Sequence, residues 1–373
     1  MRIGIDIREL ERGKATGIGR YLRNFIAYVE RARPQHEVIL YGNQHSEAEW
    51  PGSNVRTRIA LERWTQWWDQ VTLPGMANAD GIEVFLSPYI KGPMRVRCPL
   101  VVTIHDLMDL VFPEYSRGPV ARMLFRQMAR RVGLRADVVL ADSQHSAEDI
   151  VRLLQLPREK IEVLPIGIEE RYGPQSDDAL PSALRDQYGI SGEFIFYLGN
   201  FRPHKNVRSL IEVYADLPAP LRARFQLVLG GRLDPSVDEH RRCAMQCGVG
   251  EQVRFIGPVD ECDMPALYGA AALFVFPSLY EGFGLPPLEA MACGTAVLCS
   301  NRTSLPEVVG DGGVLFDPDD RAGWQRLMGA MLADDSERSV WGQKGLQRAR
   351  AFRVEALCER QMQLLESVGQ GRG

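Results

Sequence analysis

The sequence has few of the features that mark a membrane-spanning, secreted or disulfide-bonded protein. None of its apolar runs approaches the roughly 18 residues that a membrane-spanning helix needs. The first six residues carry no apolar signal core, so we expect a protein of the cytosol. The seven cysteines are odd in number and scattered. We therefore expect reduced thiols rather than a disulfide framework.

Charge, metal ligands and nucleophile motifs are also sparse. Lysine and arginine number 44 against 48 acidic residues, a net charge of -4, whereas nucleic-acid-binding domains are usually basic, so no nucleic-acid partner is expected. Cys243 and Cys247 lack a second pair at zinc spacing, and Asp317 and Asp319 are interpreted as a turn, so we predict no metal site. The Gly-x-Ser-x-Gly motif of serine hydrolases is absent.

Short apolar runs alternate with helix-like stretches in two successive series. The 373 residues, 45% of them hydrophobic, suffice for two cores. Such runs predict parallel strands that helices cover on both faces. We therefore predict an α/β protein with two doubly wound Rossmann-like domains that face an interdomain cleft. The predicted strands are 3–7, 38–41, 84–86, 100–104, 138–141 and 161–164, then 194–198, 225–229, 253–256, 273–276, 296–299 and 313–316.

A stretch rich in glycine, proline and acidic residues separates the two series, as is typical of a linker. We predict a first Rossmann-like domain at residues 1–175, a linker at 176–190, a second Rossmann-like domain at 191–350, and a C-terminal helix and tail at 351–373.

The most informative motif, residues 273–294, combines a strand, a loop and a helix opened by two prolines. The free N–H groups at the helix N-terminus form an anion site that suits phosphate. Glu281 in the loop and Glu289 in the helix favour a ligand with hydroxyls around a diphosphate, because vicinal hydroxyls donate two bonds to one carboxylate. A nucleotide sugar is such a ligand. The alternative is that Glu289 is merely an exposed helix residue and Glu281 a partner of the helix dipole.

Two further motifs follow predicted strands. Arg202 and Lys205 lie in the loop after the first strand of the second domain, where cations would stabilise a departing nucleoside diphosphate; the alternative is a solvated basic loop. Gly17 and Gly19 follow the first strand and would let the backbone approach a phosphate; a plain tight turn is the alternative. His105 ends another strand and is placed to touch a ligand, although a lone histidine is more often structural.

Together these motifs resemble those of the retaining glycosyltransferases of family 4, which have the GT-B fold. The resemblance covers nearly the whole chain, and its most specific part is the pair Glu281 and Glu289, seven residues apart. Many members carry a basic residue where this chain has Asn200. The catalytic residues that the resemblance implies are Glu281, Lys205, Arg202 and His105, and the substrate-binding residues are Gly17, Gly19, Gly282, Phe283, Gly284, Leu285 and Glu289.

The resemblance also assigns roles. Glu289 would bind the ribose, Glu281 and the following backbone the transferred sugar, Arg202 and Lys205 the diphosphate, and His105 the donor sugar. It implies transfer of a hexose, mannose or rhamnose from a GDP-sugar, onto a glycan or lipid-linked acceptor of surface polysaccharide synthesis, with retention and without a metal or other cofactor. A sugar-nucleotide epimerase of the same fold is the alternative, and transfer to an added acceptor would separate the two.

Two stretches bear on the acceptor. Trp64, Trp67 and Trp68 share one helical face, and Arg122, Arg126 and Arg130 are four residues apart on another helix. One interpretation is an edge that contacts the inner membrane surface and a lipid-linked acceptor. The other is core packing for the tryptophans and a solvated face for the arginines.

Overall fold

The computed structural model describes residues 1–13, 16–174, 180–233 and 235–371. These residues form two compact units. The first contains residues 1–167 together with the chain from Val354 onward, and the second contains Ile168–Arg353. Each unit has its own parallel sheet, which confirms the two Rossmann-like domains that the two series of apolar runs predict.

The first unit is built on seven parallel strands. They are β1 Arg2–Asp6, β2 Glu37–Gly42, β3 Val55–Ile59, β4 Val84–Ser87, β5 Leu100–Ile104, β6 Val138–Ala141 and β7 Ile161–Val163. Their order is β3-β2-β1-β4-β5-β6-β7, and Ile3 pairs with Val38 on one side and Val84 on the other. The helices and helical turns are Gly17–Ala32, Thr65–Trp67, Trp68–Thr72, Leu73–Ala79, Met108–Val111, Pro113–Tyr115, Pro119–Arg135, Gln144–Asp149, Ile150–Leu154, Arg158–Lys160 and Val354–Gly369.

The second unit is built on six parallel strands. They are β8 Glu193–Leu198, β9 Phe225–Gly230, β10 Val253–Gly257, β11 Leu273–Phe276, β12 Val297–Ser300 and β13 Val314–Phe316, in the order β10-β9-β8-β11-β12-β13. The helices and helical turns are Ser182–Tyr188, Pro203–Lys205, Val207–Ala215, Ala219–Arg224, Val237–Gln246, Met264–Ala270, Leu285–Ala292, Leu305–Val309, Arg321–Ala333, Asp335–Ala349 and Arg350–Phe352.

The C-terminal helix is part of the first unit. Met362 and Leu365 pack in one core with Phe25 and Ile26 of the helix Gly17–Ala32, against one face of the sheet. The opposite face carries a second core, which includes Trp68. Because the apolar stripe of the C-terminal helix fits this sheet, the chain returns to the first unit instead of ending as a separate element.

The compact units therefore divide the chain at other positions than the predicted domains do. The chain enters the second unit at Ile168, earlier than the predicted linker at 176–190. Of that linker, residues 176–179 lie outside the described residues. The helix Ser182–Tyr188 belongs to the second unit, where the Tyr188 hydroxyl donates to Asp263 (2.7 Å).

The tryptophan stretch divides between core and surface. Trp68 is fully buried, so the core interpretation holds for it, whereas Trp64 and Trp67 are 73% and 59% exposed. The helix Pro119–Arg135 likewise exposes Val120, Met123 and Leu124. Within the described ranges, no helix combines the length and apolar character needed to cross a bilayer.

Candidate functional site

The strand order brings two of the predicted site loops together. β8 and β11 are neighbours although the described residues between them in the chain include two strands, β9 and β10, and the five helices and helical turns from Pro203–Lys205 to Met264–Ala270. Lys205 follows β8 and Glu281 follows β11, so both leave the carboxyl edge of the sheet where the strand order reverses. This is the place at which doubly wound sheets bind ligands. The backbone joins the loops, since the Leu279 N–H donates to the His204 carbonyl (2.7 Å).

Lys205 and Glu281 form an ion pair at this edge. The ammonium nitrogen lies 2.5 Å from a Glu281 carboxylate oxygen, and the two side chains are only 11% and 13% exposed. The ammonium also stands 5.4 Å from the centre of the Phe276 ring. Charges this well shielded from water are stable when they are paired. The pair places a cation and a carboxylate side by side, which are the two kinds of group that the sequence motifs predict around a sugar diphosphate.

The Glu281 loop is held from the next strand along the sheet. The Glu281 N–H donates to the Thr303 hydroxyl (3.0 Å), and the Ser304 hydroxyl lies 3.0 Å and 2.6 Å from the carbonyls of Glu281 and Phe283. Gly284 has φ 121°, and a Cβ there would meet the Leu305 side chain at 2.8 Å, so only glycine fits. These contacts fix the loop just before the helix Leu285–Ala292 begins.

The remaining residues of this loop contribute backbone and packing. Phe283 is buried and its ring packs edge-on against Phe352, with centroids 5.8 Å apart. Gly282 is buried, and Leu285 is half-buried as the first residue of the helix. The start of a helix leaves N–H groups without intrahelical acceptors, and here these are the N–H groups of Gly284 and Leu285, because Pro286 and Pro287 have none. The geometry therefore fits an anion site made of backbone rather than of these side chains.

Glu289 is buried within the helix, at 2% exposure, which rules out the exposed-residue alternative. The Tyr268 hydroxyl donates to its carboxylate (2.7 Å), and the Thr295 hydroxyl donates to the Tyr268 carbonyl (2.5 Å). Tyr268 and Thr295 thus orient a carboxylate that the sequence motif already contains. The spacing of the motif gives no sign of Tyr268, because it lies 21 residues earlier on the helix Met264–Ala270.

Arg202 and Asn200 shape the turn that leads to Lys205. The Tyr197 hydroxyl donates to the Asn200 carbonyl (2.6 Å), and the Arg202 N–H donates to the Asn200 side chain (3.2 Å). Asn200 therefore stabilises the turn at the position where many family members have a basic residue. The Arg202 side chain is exposed. Burial, together with the charges of Lys205 and Arg202, lowers the pKa of His204 to about 3, so this neighbour is neutral at pH 7.

In the first unit, the predicted glycines begin a helix. The helix Gly17–Ala32 is capped by Thr16, whose hydroxyl accepts from the Gly19 N–H (2.9 Å). Gly19 is buried and its N–H serves the cap, while Gly17 is exposed at the first helical position. The two glycines therefore form the capped start of a helix rather than a plain tight turn. Of the two, only Gly17 is exposed.

His105 follows β5 and is held on both sides of its ring. Nδ1 lies 2.7 Å from an Asp142 carboxylate oxygen and Nε2 lies 3.1 Å from the Pro88 carbonyl. Burial lowers the pKa of His105, but the charge and hydrogen bond of Asp142 raise it by more than burial lowers it. The net result is a pKa above its ordinary value. The carboxylate and the carbonyl are both acceptors, which favours an N–H group on each ring nitrogen. The ring nitrogens thus have the internal partners that the structural alternative expects.

Comparisons with known proteins match each unit to a glycosyltransferase family. Residues 15–172 match the family described as Glycosyltransferase Family 4, and residues 183–348 match the family described as Glycosyl transferases group 1. The O-antigen chain mannosyltransferase B of Escherichia coli is 37% identical over 274 residues, which cover 73% of this chain and 71% of that protein. The chain is a family 4 glycosyltransferase.

Two other relatives differ in what their names say they act on. The serotype-specific mannosyltransferase WbdA of Escherichia coli is 36% identical over 63% of this chain, which spans 29% of the relative. The D-inositol 3-phosphate glycosyltransferase of Xylanimonas cellulosilytica is 33% identical over 65% of this chain and 60% of the relative.

Solved structures match the fold of the glycosyltransferase over its whole length. Sucrose-phosphate synthase from Thermosynechococcus elongatus superimposes with a TM-score of 0.82 at 21% identity, covering 99% of both chains. HepE from Anabaena, in complex with UDP-glucose, gives 0.77 at 20% identity, covering 98% of this chain and all of that one. The fold is GT-B, as the sequence motifs imply.

Proposed function

We propose that this glycosyltransferase transfers a hexose, mannose in the first place, from a GDP-sugar to a glycan or lipid-linked acceptor during surface polysaccharide synthesis. The names of two relatives, an O-antigen chain mannosyltransferase and a serotype-specific mannosyltransferase, support the sugar and the pathway. A nucleotide sugar as donor is supported by HepE, which has the same fold and was solved with UDP-glucose. The observation that carries the proposal is the Lys205–Glu281 ion pair beside the N-terminus of the helix that holds Glu289.

Each group of the site then has a separate task. Glu289 holds the ribose hydroxyls, Glu281 holds the sugar, and Lys205, Arg202 and the helix N-terminus stabilise the diphosphate as its bond to the sugar breaks. The acceptor attacks from the face that the phosphate leaves, through an oxocarbenium-like ion pair. The phosphate takes the proton of the acceptor hydroxyl, and because attack comes from the face that the phosphate leaves, the anomeric configuration is retained. With these cations present, transfer needs no divalent metal and no other cofactor.

A panel of nucleoside diphosphates and nucleotide sugars tests the donor. A ligand at ~100 times its dissociation constant adds ~2.7 kcal/mol to the free energy of unfolding, which thermal unfolding detects readily. We expect GDP and GDP-mannose to stabilise the protein and UDP, ADP and their sugars to do so less. Stabilisation by UDP-glucose alone would contradict the proposal of a GDP-sugar donor, but not the proposal that the protein uses a nucleotide sugar.

The products separate the competing reactions. With GDP-mannose and an added mannan-type acceptor, we expect GDP and an elongated acceptor. Transfer to inositol phosphate instead would favour the activity that the Xylanimonas cellulosilytica relative is named for. An isomerised donor formed without any acceptor would identify the epimerase alternative.

We also propose that one surface of the first unit meets the inner face of the membrane, which places the protein on the cytoplasmic side. The helix Pro119–Arg135 contains five arginines and no acidic residue, although the whole chain has a net charge of -4. The same helix exposes the apolar side chains of Val120, Met123 and Leu124. Arginines attract anionic headgroups, and the exposed apolar side chains can enter the interface.

Vesicle binding tests this surface. The double variant Met123→Gln/Leu124→Gln should bind vesicles of 30% anionic lipid about ten-fold more weakly, because two apolar side chains are no longer buried in the interface. Salt should weaken binding of the wild type. Val340→Ser, which removes an exposed apolar side chain of the second unit, is the matched control. Equal binding of all three proteins would overturn the proposal.

A further inference from the structure

A buried polar residue of the C-terminal helix contacts Tyr21, which lies two residues after Gly19 in the helix Gly17–Ala32. Gln361 is 2% exposed and its amide nitrogen donates to the Tyr21 hydroxyl (2.6 Å). The Tyr21 hydroxyl in turn lies 3.2 Å from the Thr103 hydroxyl. Because the amide nitrogen can only donate, the tyrosine oxygen accepts from Gln361 and its own proton is directed to Thr103.

The ring of Tyr21 is the third contact of the His105 imidazole. The two rings meet edge to face, with centroids 5.3 Å apart and planes at 80°. Asp142 and the Pro88 carbonyl hold the two nitrogens, so Tyr21 limits the remaining freedom of the ring to tilt. The hydroxyl of Tyr21 is fixed at the far end of its own ring, which makes the tilt of His105 dependent on the groups that hold that hydroxyl.

The neighbouring residues show that packing alone does not require a glutamine. Met362 and Leu365 of the same helix are completely buried in the apolar core. A polar amide in such a core is unfavourable unless it is hydrogen-bonded. An apolar side chain at position 361 would gain burial energy that the amide of Gln361 does not. The hydrogen bond to the Tyr21 hydroxyl is what the glutamine offers in its place.

We propose that Gln361 is a positioning residue for His105, which it orients through the hydroxyl and ring of Tyr21. The C-terminal helix, reached only after the chain has passed through the whole second unit, thereby fixes a residue that the family motif places at the site. The charged and titratable groups around the imidazole are Asp142 and Asp106, with Tyr21 against its face and Cys358 of the C-terminal helix beside Tyr21. Only the turnover part of the test rests on the proposed function.

Nuclear magnetic resonance of the intact protein with labelled histidine tests the positioning directly. The six histidines allow His105 to be assigned with a His105→Asn variant. In Gln361→Met, we expect shifted His105 ring resonances and ring N–H exchange about five-fold faster, the loss that one net hydrogen bond corresponds to. Gln363→Met, on the exposed side of the same helix, should leave both unchanged. Unchanged His105 signals in Gln361→Met would overturn the proposal.

A double-mutant cycle separates positioning from general packing. Tyr21→Phe removes the hydroxyl through which Gln361 acts, so Gln361→Met should add no further change in that background. If it adds the same change as in the wild type, Gln361 acts through packing and the proposal fails. Thermal unfolding of each variant verifies that the first unit remains folded.

Turnover provides the readout that depends on the proposed function. We expect Gln361→Met and Tyr21→Phe to lower the transfer rate by the same factor, about five-fold, and Gln363→Met to leave it unchanged. If the His105 signals change as expected and the transfer rate does not, the positioning is supported and the role of His105 in transfer is refuted. The histidine signals thus test the positioning by Gln361, and the transfer rate separately tests the role of His105.

Discussion

Replacing Lys205 with methionine is expected to lower the rate of sugar transfer by ~100-fold or more, the usual loss for a preorganised group that stabilises charge in the transition state. Methionine keeps an unbranched apolar side chain but removes the ammonium group, which lies 5.4 Å from the centre of the Phe276 ring and which we propose faces the diphosphate. Steady-state transfer from the best donor of the nucleotide panel measures the effect. Lys344→Met is the matched control, because Lys344 is an exposed lysine of the same unit that also lies over an aromatic ring, Trp341.

The ion pair gives Lys205→Met a second possible effect, on Glu281, which a double variant separates from the loss of the charge. Without Lys205, the Glu281 carboxylate loses its partner while remaining largely shielded, which destabilises the loop. The double variant Lys205→Met/Glu281→Gln removes both charges. If Lys205 serves only to pair Glu281, the double variant should recover affinity for the nucleoside diphosphate; if it binds the diphosphate, affinity should stay low. Lys205→Met activity within a few-fold of the wild type would refute the assignment.

The fold was predictable where strands are buried on both faces. All twelve predicted strands are present within one or two residues, because continuous apolar runs mark the interior of parallel sheets. β3 escaped prediction because it is the edge strand of its sheet and alternates Val55, Thr57 and Ile59 with Arg56 and Arg58. Three of its five side chains, those of Arg56, Arg58 and Ile59, are exposed, so the strand has no continuous apolar run to mark it.

The site was predictable only within its motifs. The loop of Glu281 and the helix of Glu289 are continuous in sequence, and cap and proline chemistry indicate them. The partners that orient these residues lie elsewhere: Tyr268 is on the preceding helix and Thr303 follows the next strand. Such contacts depend on strand order and helix placement. Alternation of apolar runs gives the kind of fold but not which loops are neighbours.

The contacts of His105 and Gln361 in the first unit were also not predictable from the sequence. A lone histidine at the end of a strand has the same sequence signature whether its nitrogens face a ligand or internal acceptors. The bond between Asp142 and His105 requires that β5 and β6 be neighbours. Gln361 lies 340 residues from Tyr21, and no local pattern relates them.

The two glutamates are expected to fail in different ways when each is replaced by glutamine. Glu289→Gln should weaken the binding of donor and of free nucleoside diphosphate alike, since both contain the ribose that we propose Glu289 holds. Glu281→Gln should leave nucleoside diphosphate affinity intact or slightly raised, because Lys205 loses the carboxylate that competes for it. Glu281→Gln should instead weaken the binding of the intact donor and lower the turnover rate. Each lost charge-assisted bond is worth roughly 1.5–3 kcal/mol, or about 10- to 150-fold.

Calorimetry with the nucleoside diphosphate, beside turnover of both variants, separates these expectations. Glutamine keeps a side-chain oxygen that can accept from the Tyr268 hydroxyl, so Glu289→Gln should fold, and Tyr268→Phe should reproduce part of its binding loss by freeing the carboxylate to rotate. Glu251→Gln, on an exposed turn, is the control. If Glu281→Gln loses nucleoside diphosphate affinity and Glu289→Gln keeps it, the two roles are reversed. If neither variant changes binding or turnover, both carboxylates are structural, and the proposed donor site loses the residues on which it depends.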